Sequence, residues 1–317
     1  MWFKCPHSGF CFSVPVLLAV FFVSTLQATE QPDPNDPEWR LFQHALGEPA
    51  AIGVNANHPG ASTAYRPVPE IKLEDIDAHK YLLGNDVFHD RRLSADHSMA
   101  CVRCHGGPLS GTDGRSVSLG VNRARGNFNA LSLLNAPFNF RQFWDGRAVT
   151  QADQALGPLV NQLEMANTLE AVLATLQSDE SYVEDFRNLY PDGVTINNMV
   201  DALAYFQRIS FTVSDSPFQR YLNGDQSQLS EQALRGWQRF DDIGCVSCHN
   251  GINLGGNSYQ RIGLLRSYYP DRLSPTLADF GVANRSGRDQ DMFAFKVPGM
   301  HNVTMTAPYF HDGSVAT

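Results

Sequence analysis

Apolar positions recur every three to four residues through several stretches of the chain, and this spacing predicts α-helices. The predicted helices cover residues 168–178, 179–189 and 195–210. Another opens near Ser230, and an earlier one begins at Leu73 with Gly84 as its C-cap. No alternating run is long enough to require a large sheet. The pattern therefore predicts a mostly α protein.

Between the helical stretches lie segments without apolar periodicity. Residues 106–147 and 250–292 are rich in Gly and Asn, which predicts long loops wrapped around a cofactor. Residues 29–70 are rich in Pro, Asn and Ala, which predicts an extended arm over the surface.

The first 28 residues resemble a secretory signal. Lys4 supplies a short positive region, and an apolar run follows from Val14 to Ala28. This run is too short and wrongly flanked for a confident membrane span, so we expect cleavage near Ala28 and a periplasmic protein. The alternative is an uncleaved membrane anchor.

Charge narrows the choice of partners. The 317 residues include 24 Lys and Arg against 33 Asp and Glu, a formal net charge of −9. An acidic chain of this kind argues against nucleic acid as a partner. It suits a partner protein with a basic docking patch.

Four cysteines remain once the predicted signal is removed, and each belongs to a C-x-x-C pair followed by His. They are Cys101, Cys104, Cys245 and Cys248. In C-x-x-C-H motifs the two cysteines attach a c-type haem by thioethers and the adjacent histidine ligates the iron. The sequence thus predicts two covalently bound haem c groups, with His105 and His249 as proximal ligands. The alternative is a pair of redox-active or metal-binding dithiols.

Two haem motifs in a helical chain predict two cytochrome c-like haem domains, which meet around residues 211–229. The predicted organisation is a signal peptide (1–28), an arm (29–70), an N-terminal haem domain (71–215) and a C-terminal haem domain (216–317).

From about Asp86 onwards the chain resembles the bacterial di-haem cytochrome c peroxidases and their relatives of the methylamine-utilisation (MauG) type. The resemblance rests on "VFHDRRLS", "CVRCHGG", "TDGRSVSLG", "LLNAPFNFRQFWDGRA", "QALGPLVNQLEMAN", "GCVSCHNG", "FKVPGMHNV" and "TAPYFHDGSVAT". It implies a peroxide site at the N-terminal haem and an electron-transfer role for the C-terminal haem. Members of this family often form homodimers.

The resemblance bears on the sixth coordination position of the first haem. Many family members close this position with a histidine where this chain has Val121, and no histidine stands between His105 and His249. We therefore expect a first haem that is open without prior reduction. The alternative is that another residue, such as Met165, fills the position.

Three further residues match catalytic positions of the family. Glu164 matches its proton-shuttling glutamate and Gln154 an amide that hydrogen-bonds the bound oxygen. Trp144 matches a tryptophan that carries electrons between the haems. By residue type alone, a glutamate such as Glu164 is more often a solvated surface group, and a tryptophan such as Trp144 is more often a core residue.

A calcium ion between the domains is also implied by the resemblance. Asn129 matches a ligand of this ion, and the backbone carbonyls near Thr306 and Pro308 would complete the site. Phe128 and Leu131 depart from the family's usual Arg and Pro at this point.

The distal ligand of the second haem is a Met in the peroxidases and a Tyr in the MauG-type enzymes. In the family this residue lies beyond the motif that ends at Thr317, so the sequence looks C-terminally incomplete. Met300 and Met305 are expected not to replace it, because a methionine at such positions is more often a core filler than a ligand.

The function predicted first is a periplasmic peroxidase that reduces hydrogen peroxide to water with electrons from a small cytochrome c or cupredoxin. The alternatives are a MauG-type oxidase that modifies residues of a partner protein, and a non-enzymatic electron-transfer cytochrome. Glu164 and Gln154 argue against the last, because a pure relay gains nothing from an acid–base group.

Overall fold

Helices make up most of the regular structure in a computed structural model of the chain, which describes residues 64–106, 109–263, 268 and 275–317. The predicted signal peptide, and the arm up to residue 63, lie outside the described residues. In the described part, the helices are α1 (Ala78–His89), α2 (Val102–His105), α3 (Gln151–Val160), α4 (Leu169–Gln177), α5 (Glu180–Leu189), α6 (Ile196–Phe211), α7 (Pro217–Leu222), α8 (Glu231–Asp242) and α9 (Ala283–Ser286).

The helices predicted in the middle of the chain are confirmed, and each begins directly after a capping side chain. Thr168, Asp179, Thr195 and Ser230 each accept a hydrogen bond from a backbone N–H in the first turn of α4, α5, α6 and α8 respectively. Such caps satisfy backbone donors that a helix start would otherwise leave unpaired. The sequence therefore fixes these boundaries locally.

The predicted role of Gly84 is wrong, because it lies in the middle of α1 rather than at its end. Helix α1 starts after Asp77, whose side chain accepts hydrogen bonds from two N–H groups, while Leu73–Asp75 forms a separate 3₁₀ turn. A Cβ at Gly84 would lie 2.1 Å from the Ala202 carbonyl oxygen of α6. Gly84 thus permits close packing of α1 on α6.

The hydrophobic core is centred on the contact of α1 with α6 and on the helices that cover it. Its largest fully buried side chains, each worth about 1.5–3 kcal/mol by burial, are Leu83, Val87, Leu93, Val172, Leu176, Phe186 and Met199. Cys101 and Cys104 pack against the edge of this core. The first haem motif is therefore anchored to the hydrophobic core.

Residues 64–68 run towards the second haem motif and are partly buried. Tyr65 pairs with Gly251 in a parallel bridge, and its ring lies 4.2 Å from that of Trp237. The Val68 N–H donates to the Gln219 side chain at 2.7 Å. Tyr65 and Val68 are buried, so the end of the predicted surface arm is an integral part of the packing.

The described residues of the two predicted loop segments are mostly irregular, and one short strand lies within the second segment while its partner strand follows it. Strands β1 (Tyr259–Arg261) and β2 (Ala294–Lys296) pair antiparallel, with Tyr259 opposite Lys296. In the described part of the chain, 3₁₀ turns occur at Leu73–Asp75, Arg91–Leu93, Val121–Arg123, Ala136–Phe138, Gln226–Gln228, Cys245–Ser247, Leu277–Phe280, Asp289–Asp291 and Val303–Met305.

The described residues belong to one compact unit, and the division into two haem domains after residue 215 stays a prediction. Over the same residues, no helix is both long and apolar enough to cross a bilayer.

Candidate active site

The two haem motifs line one cavity of about 760 Å³. From the first motif the lining includes Cys101, Cys104 and His105, and from the second it includes Cys248 and His249. All four predicted haem-binding cysteines are free of disulfide bonds. Their sulfurs are therefore available for attachment of a cofactor.

Both predicted proximal histidines are oriented in the same way. The Nδ1 atom of His105 lies 2.8 Å from the Gly111 carbonyl oxygen, and that of His249 lies 3.1 Å from the Leu254 carbonyl oxygen. A histidine that donates Nδ1–H to a carbonyl presents its other nitrogen, Nε2, as a metal ligand. Burial also lowers the pKa of His105, which favours the neutral ring that ligates metals.

These residues fit two haem c groups. Each motif offers two free thiols and one imidazole whose Nδ1 is already engaged by the backbone. Haem iron takes an imidazole nitrogen as its axial ligand in this arrangement. Cys101, Cys104 and His105 would hold one haem, and Cys245, Cys248 and His249 the other.

Glu164 lies in a tight turn just after α3 and lines the cavity. Asn161 ends α3, and its side-chain amide donates to the Glu164 carboxylate at 2.6 Å. Burial raises the pKa of Glu164, while the Asn161 amide and the Arg147 guanidinium favour the charged form and offset part of that rise. A raised pKa makes the carboxylate a stronger base, which suits a group that accepts and returns a proton.

Glu164 also lies close to the first haem motif. Burial raises the pKa of Cys101 to about 12, and the charge of Glu164 adds to this rise. Burial raises the pKa of Cys104 as well, again with a contribution from Glu164. The predicted acid–base group and the predicted peroxide haem therefore share one corner of the cavity.

The loop that carries Val121 is fastened directly to the Glu164 turn. The Val121 N–H donates to the Glu164 carbonyl at 2.8 Å. A Cβ at Gly120 would meet the Leu163 carbonyl oxygen at 2.2 Å, so the two backbones approach as closely as glycine allows. The Val121 side chain packs into the core cluster, whereas Gly120 and Met165 line the cavity.

Gln154 lies on the first turns of α3 and lines the same cavity as Glu164. Helix α3 begins with a capping box between Thr150 and Asp153. The cap and the Asn161 turn thus place the Gln154 and Glu164 side chains at opposite ends of one short helix. Their catalytic roles stay predictions.

Trp144 is buried and lines the cavity. Its indole N–H donates to the Asn129 carbonyl at 2.9 Å. Its ring meets those of Phe295 and His311 edge-on, with both centroid distances 6.4 Å. Trp144 is thus both a core residue and a wall of the haem cavity, so the two interpretations made from sequence are compatible.

The predicted calcium ligand Asn129 makes two hydrogen bonds, and its binding of calcium stays a prediction. The Asn129 N–H donates to the His311 carbonyl at 2.7 Å, and its side-chain amide donates to the Arg115 carbonyl at 2.8 Å. Asn129, Thr306 and Pro308 line the same cavity.

A separate group of potential ligand atoms lies on Asp279, His311 and Asp312, within 4.8 Å of one another. His311 and Asp279 already contact each other at 2.8 Å.

Three residues in the cavity were missed by reasoning from sequence. Asn161 holds the Glu164 carboxylate, and Arg147 influences its pKa. Lys296 lines the cavity as a fully buried side chain. A lysine between two apolar residues in "FKVP" was the available signal, since a charged residue in such a run is rarely buried without a purpose.

A helical fold whose two C-x-x-C-H motifs face one cavity defines a di-haem c-type cytochrome. The sequence profile of the di-haem cytochrome c peroxidase family matches residues 78–227. The chain is 38% identical over 269 residues to the cytochrome c551 peroxidase of Pseudomonas aeruginosa, with 83% of this chain and 77% of that protein covered. It belongs to the di-haem cytochrome c peroxidase family.

Two further similarities support membership of this family. The chain is 43% identical to cytochrome c peroxidase Ccp of Escherichia coli over 80% of its own length, and it spans 53% of the length of that relative. The structure of a MauG-like protein associated with microbial copper homeostasis superimposes with a TM-score of 0.69 at 28% identity, covering 80% of this chain and 78% of that one.

Proposed function

We propose that this protein reduces hydrogen peroxide to water in the periplasm, with electrons from a small cytochrome c or cupredoxin. Each turnover consumes one peroxide, two electrons and two protons and yields two waters. The observation that carries this proposal is the partly buried Glu164 carboxyl group, which lines the cavity together with the first haem motif. Relatives named as cytochrome c peroxidases, at 36–43% identity, support it.

The haem iron, when bound, supplies the redox chemistry, and the chain supplies protons and positioning. Glu164 carries the proton that must move from one peroxide oxygen to the other as their bond breaks. Gln154, at the start of α3, would donate a hydrogen bond to the peroxide in the cavity. Trp144 carries electrons from the C-terminal haem domain (216–317) to the N-terminal one (71–215).

In this proposal the first haem, once bound, would be accessible to peroxide without prior reduction. The Val121 side chain is packed into the core, so the loop that holds it offers no ligand from that position.

A calcium ion bound by Asn129 and the carbonyls of Thr306 and Pro308 would hold the two haem domains together. Calcium binding is measured by titration of chelator-treated protein, and N129A should abolish it.

The proposal is tested with the fully oxidised, haem-loaded protein before any reductant is added. Electronic and EPR spectra should show a high-spin first haem that reacts with peroxide at once. Subsequent turnover should follow from a reduced small cytochrome c or cupredoxin. A six-coordinate low-spin first haem, or two intact haems without peroxide turnover, would contradict it.

A second candidate is a MauG-type oxidase. The chain is 30% identical to the methylamine utilization protein MauG of Methylophilus methylotrophus, over 87% of its length and 82% of that protein, and an open first haem suits either function. Sustained turnover of peroxide with a reduced donor protein supports the peroxidase. Peroxide-dependent modification of another protein's residues, without such turnover, supports the oxidase.

A further inference from the structure

Lys296 is a buried cation in the wall of the haem cavity. It ends strand β2, only 2% of its surface is exposed, and it lines the cavity together with both haem motifs. Its backbone N–H donates to the Trp144 carbonyl at 2.8 Å. Burial of an ammonium group is costly unless an opposite charge or strong acceptors surround it.

Among the residues that the structure describes, none supplies that compensation. No described carboxylate or hydrogen-bond acceptor contacts the Lys296 ammonium group. The buried Asp145 carboxylate of the same cavity, by contrast, pairs with Arg147. Burial is the cause that lowers the pKa of Lys296, to about 8. A neighbouring carboxylate would instead raise it.

The cavity's own carboxylates are engaged elsewhere. Of the described side chains that line it, Asp145 and Glu164 are the acidic ones. Asp145 pairs with the Arg147 guanidinium at 3.0 Å, and Glu164 accepts from Asn161 at 2.6 Å. Within the described part of the chain Lys296 thus lacks a counter-ion, and a group bound in the cavity can supply one.

A haem brings suitable counter-ions, because its edge carries two propionate groups that are ionised at neutral pH. We propose that Lys296 forms an ion pair with a haem propionate inside this cavity and thereby raises the reduction potential of that haem. A positive charge near the iron disfavours the more positive ferric state. Because the Lys296 backbone N–H is hydrogen-bonded to the Trp144 carbonyl, this ion pair would lie on the proposed electron route.

The inference rests on haem attachment at the two motifs but not on peroxide turnover. It is tested at neutral pH with K296M, which keeps the length of the side chain and removes its charge. K72M is the matched control, because Lys72 is exposed and outside the cavity. Haem content is measured first, so that loss of cofactor is separated from a change in its properties.

Spectroelectrochemical titration of K296M should then show that the midpoint potential of one haem falls. We expect about a tenfold shift in its reduction equilibrium, equivalent to about 59 mV for one electron. The propionate bending band of that haem should also shift in the resonance Raman spectrum. K72M should leave both readouts unchanged.

Unchanged potentials in K296M with two haems bound would overturn the proposal, and so would a lower potential without a shift of the propionate band. If K296M does not take up haem, K296R decides the question. Haem loading with near-native potentials in K296R supports a requirement for the charge. If neither variant loads haem, the site requires the size and shape of the lysine side chain and not only its charge. This result would overturn the proposed ion pair.

Discussion

The surroundings of the two haem motifs differ in burial. Around the first motif, Cys101 and Cys104 pack against the main core, and Glu164 lies beside them in a tight turn. The second motif follows α8, a fully described helix in which none of the residues is buried. Ile243, at the approach to the second motif, is 64% exposed.

This difference matches the two kinds of chemistry proposed for the sites. Proton transfer to a bound oxygen benefits from an enclosed site, because fixed dipoles and charges act strongly where water is excluded. Electron transfer from a partner protein needs an accessible edge instead. We therefore expect small side-chain substitutions around the first haem motif to be harmful, and those around the second motif to be tolerated.

The sharpest test of the first region is E164Q, which keeps the size of the side chain and removes its acid–base function. Turnover of peroxide should fall by about 10²-fold or more, while the haem content stays the same. E170Q, which changes an exposed glutamate of α4, is the control. Near-native turnover in E164Q would mean that this carboxyl group is a bystander.

Adding a single methyl group should have opposite effects on the stability of the protein in the two regions. G120A forces a Cβ to within 2.2 Å of the Leu163 carbonyl oxygen, so the free energy of unfolding should fall by about 1–3 kcal/mol. In G236A the new methyl group, on an exposed face of α8, meets nothing within 4 Å. It should stabilise the helix by about 0.5–1 kcal/mol.

Thermal or denaturant unfolding of the haem-loaded variants measures both effects. Equal destabilisation by G120A and G236A would contradict the difference in packing between the first haem motif and the more exposed second one.

W144F tests whether the two regions communicate through the indole. Phenylalanine keeps most of the packing against Phe295 and His311 but is far harder to oxidise, and it loses the hydrogen bond to the Asn129 carbonyl. In stopped-flow mixing with peroxide, the first haem should react at a near-native rate and the second should lag severalfold. Unchanged kinetics of the second haem would leave Trp144 a core residue only.

The smallest expected effect is a shift in pH dependence. Burial raises the pKa of Glu164, and a base must be deprotonated to act, so activity should be lost as the pH falls through this raised value. N161A removes a hydrogen bond that favours the carboxylate, so the acidic limb of the pH–rate profile should move to higher pH. A limb that stays in place would contradict the role of Asn161.

The sequence by itself determined the features that depend on neighbouring residues. Capping residues such as Thr168 and Asp179 act within one helical turn, so the helix boundaries in the middle of the chain could be predicted. The C-x-x-C-H motifs carry their meaning in five consecutive residues. The mostly α fold class follows from the same local patterns.

Helix α3 was not predicted as a helix. Gly157 and Pro158 weaken its helical pattern, and in the structure the helix starts at the capping box of Thr150 and Asp153. The true place of Gly84, in the middle of α1, depends on contact with Ala202, more than a hundred residues away.

Tertiary structure alone decided which distant residues share the haem cavity. The burial of Lys296 depends on β-pairing with Tyr259 and on contact with Trp144, neither of which is visible in "FKVP". The raised pKa of Glu164 likewise comes from enclosure by segments far apart in the chain. Burial and electrostatic environment are sums over neighbours in space, and only the folded chain specifies those neighbours.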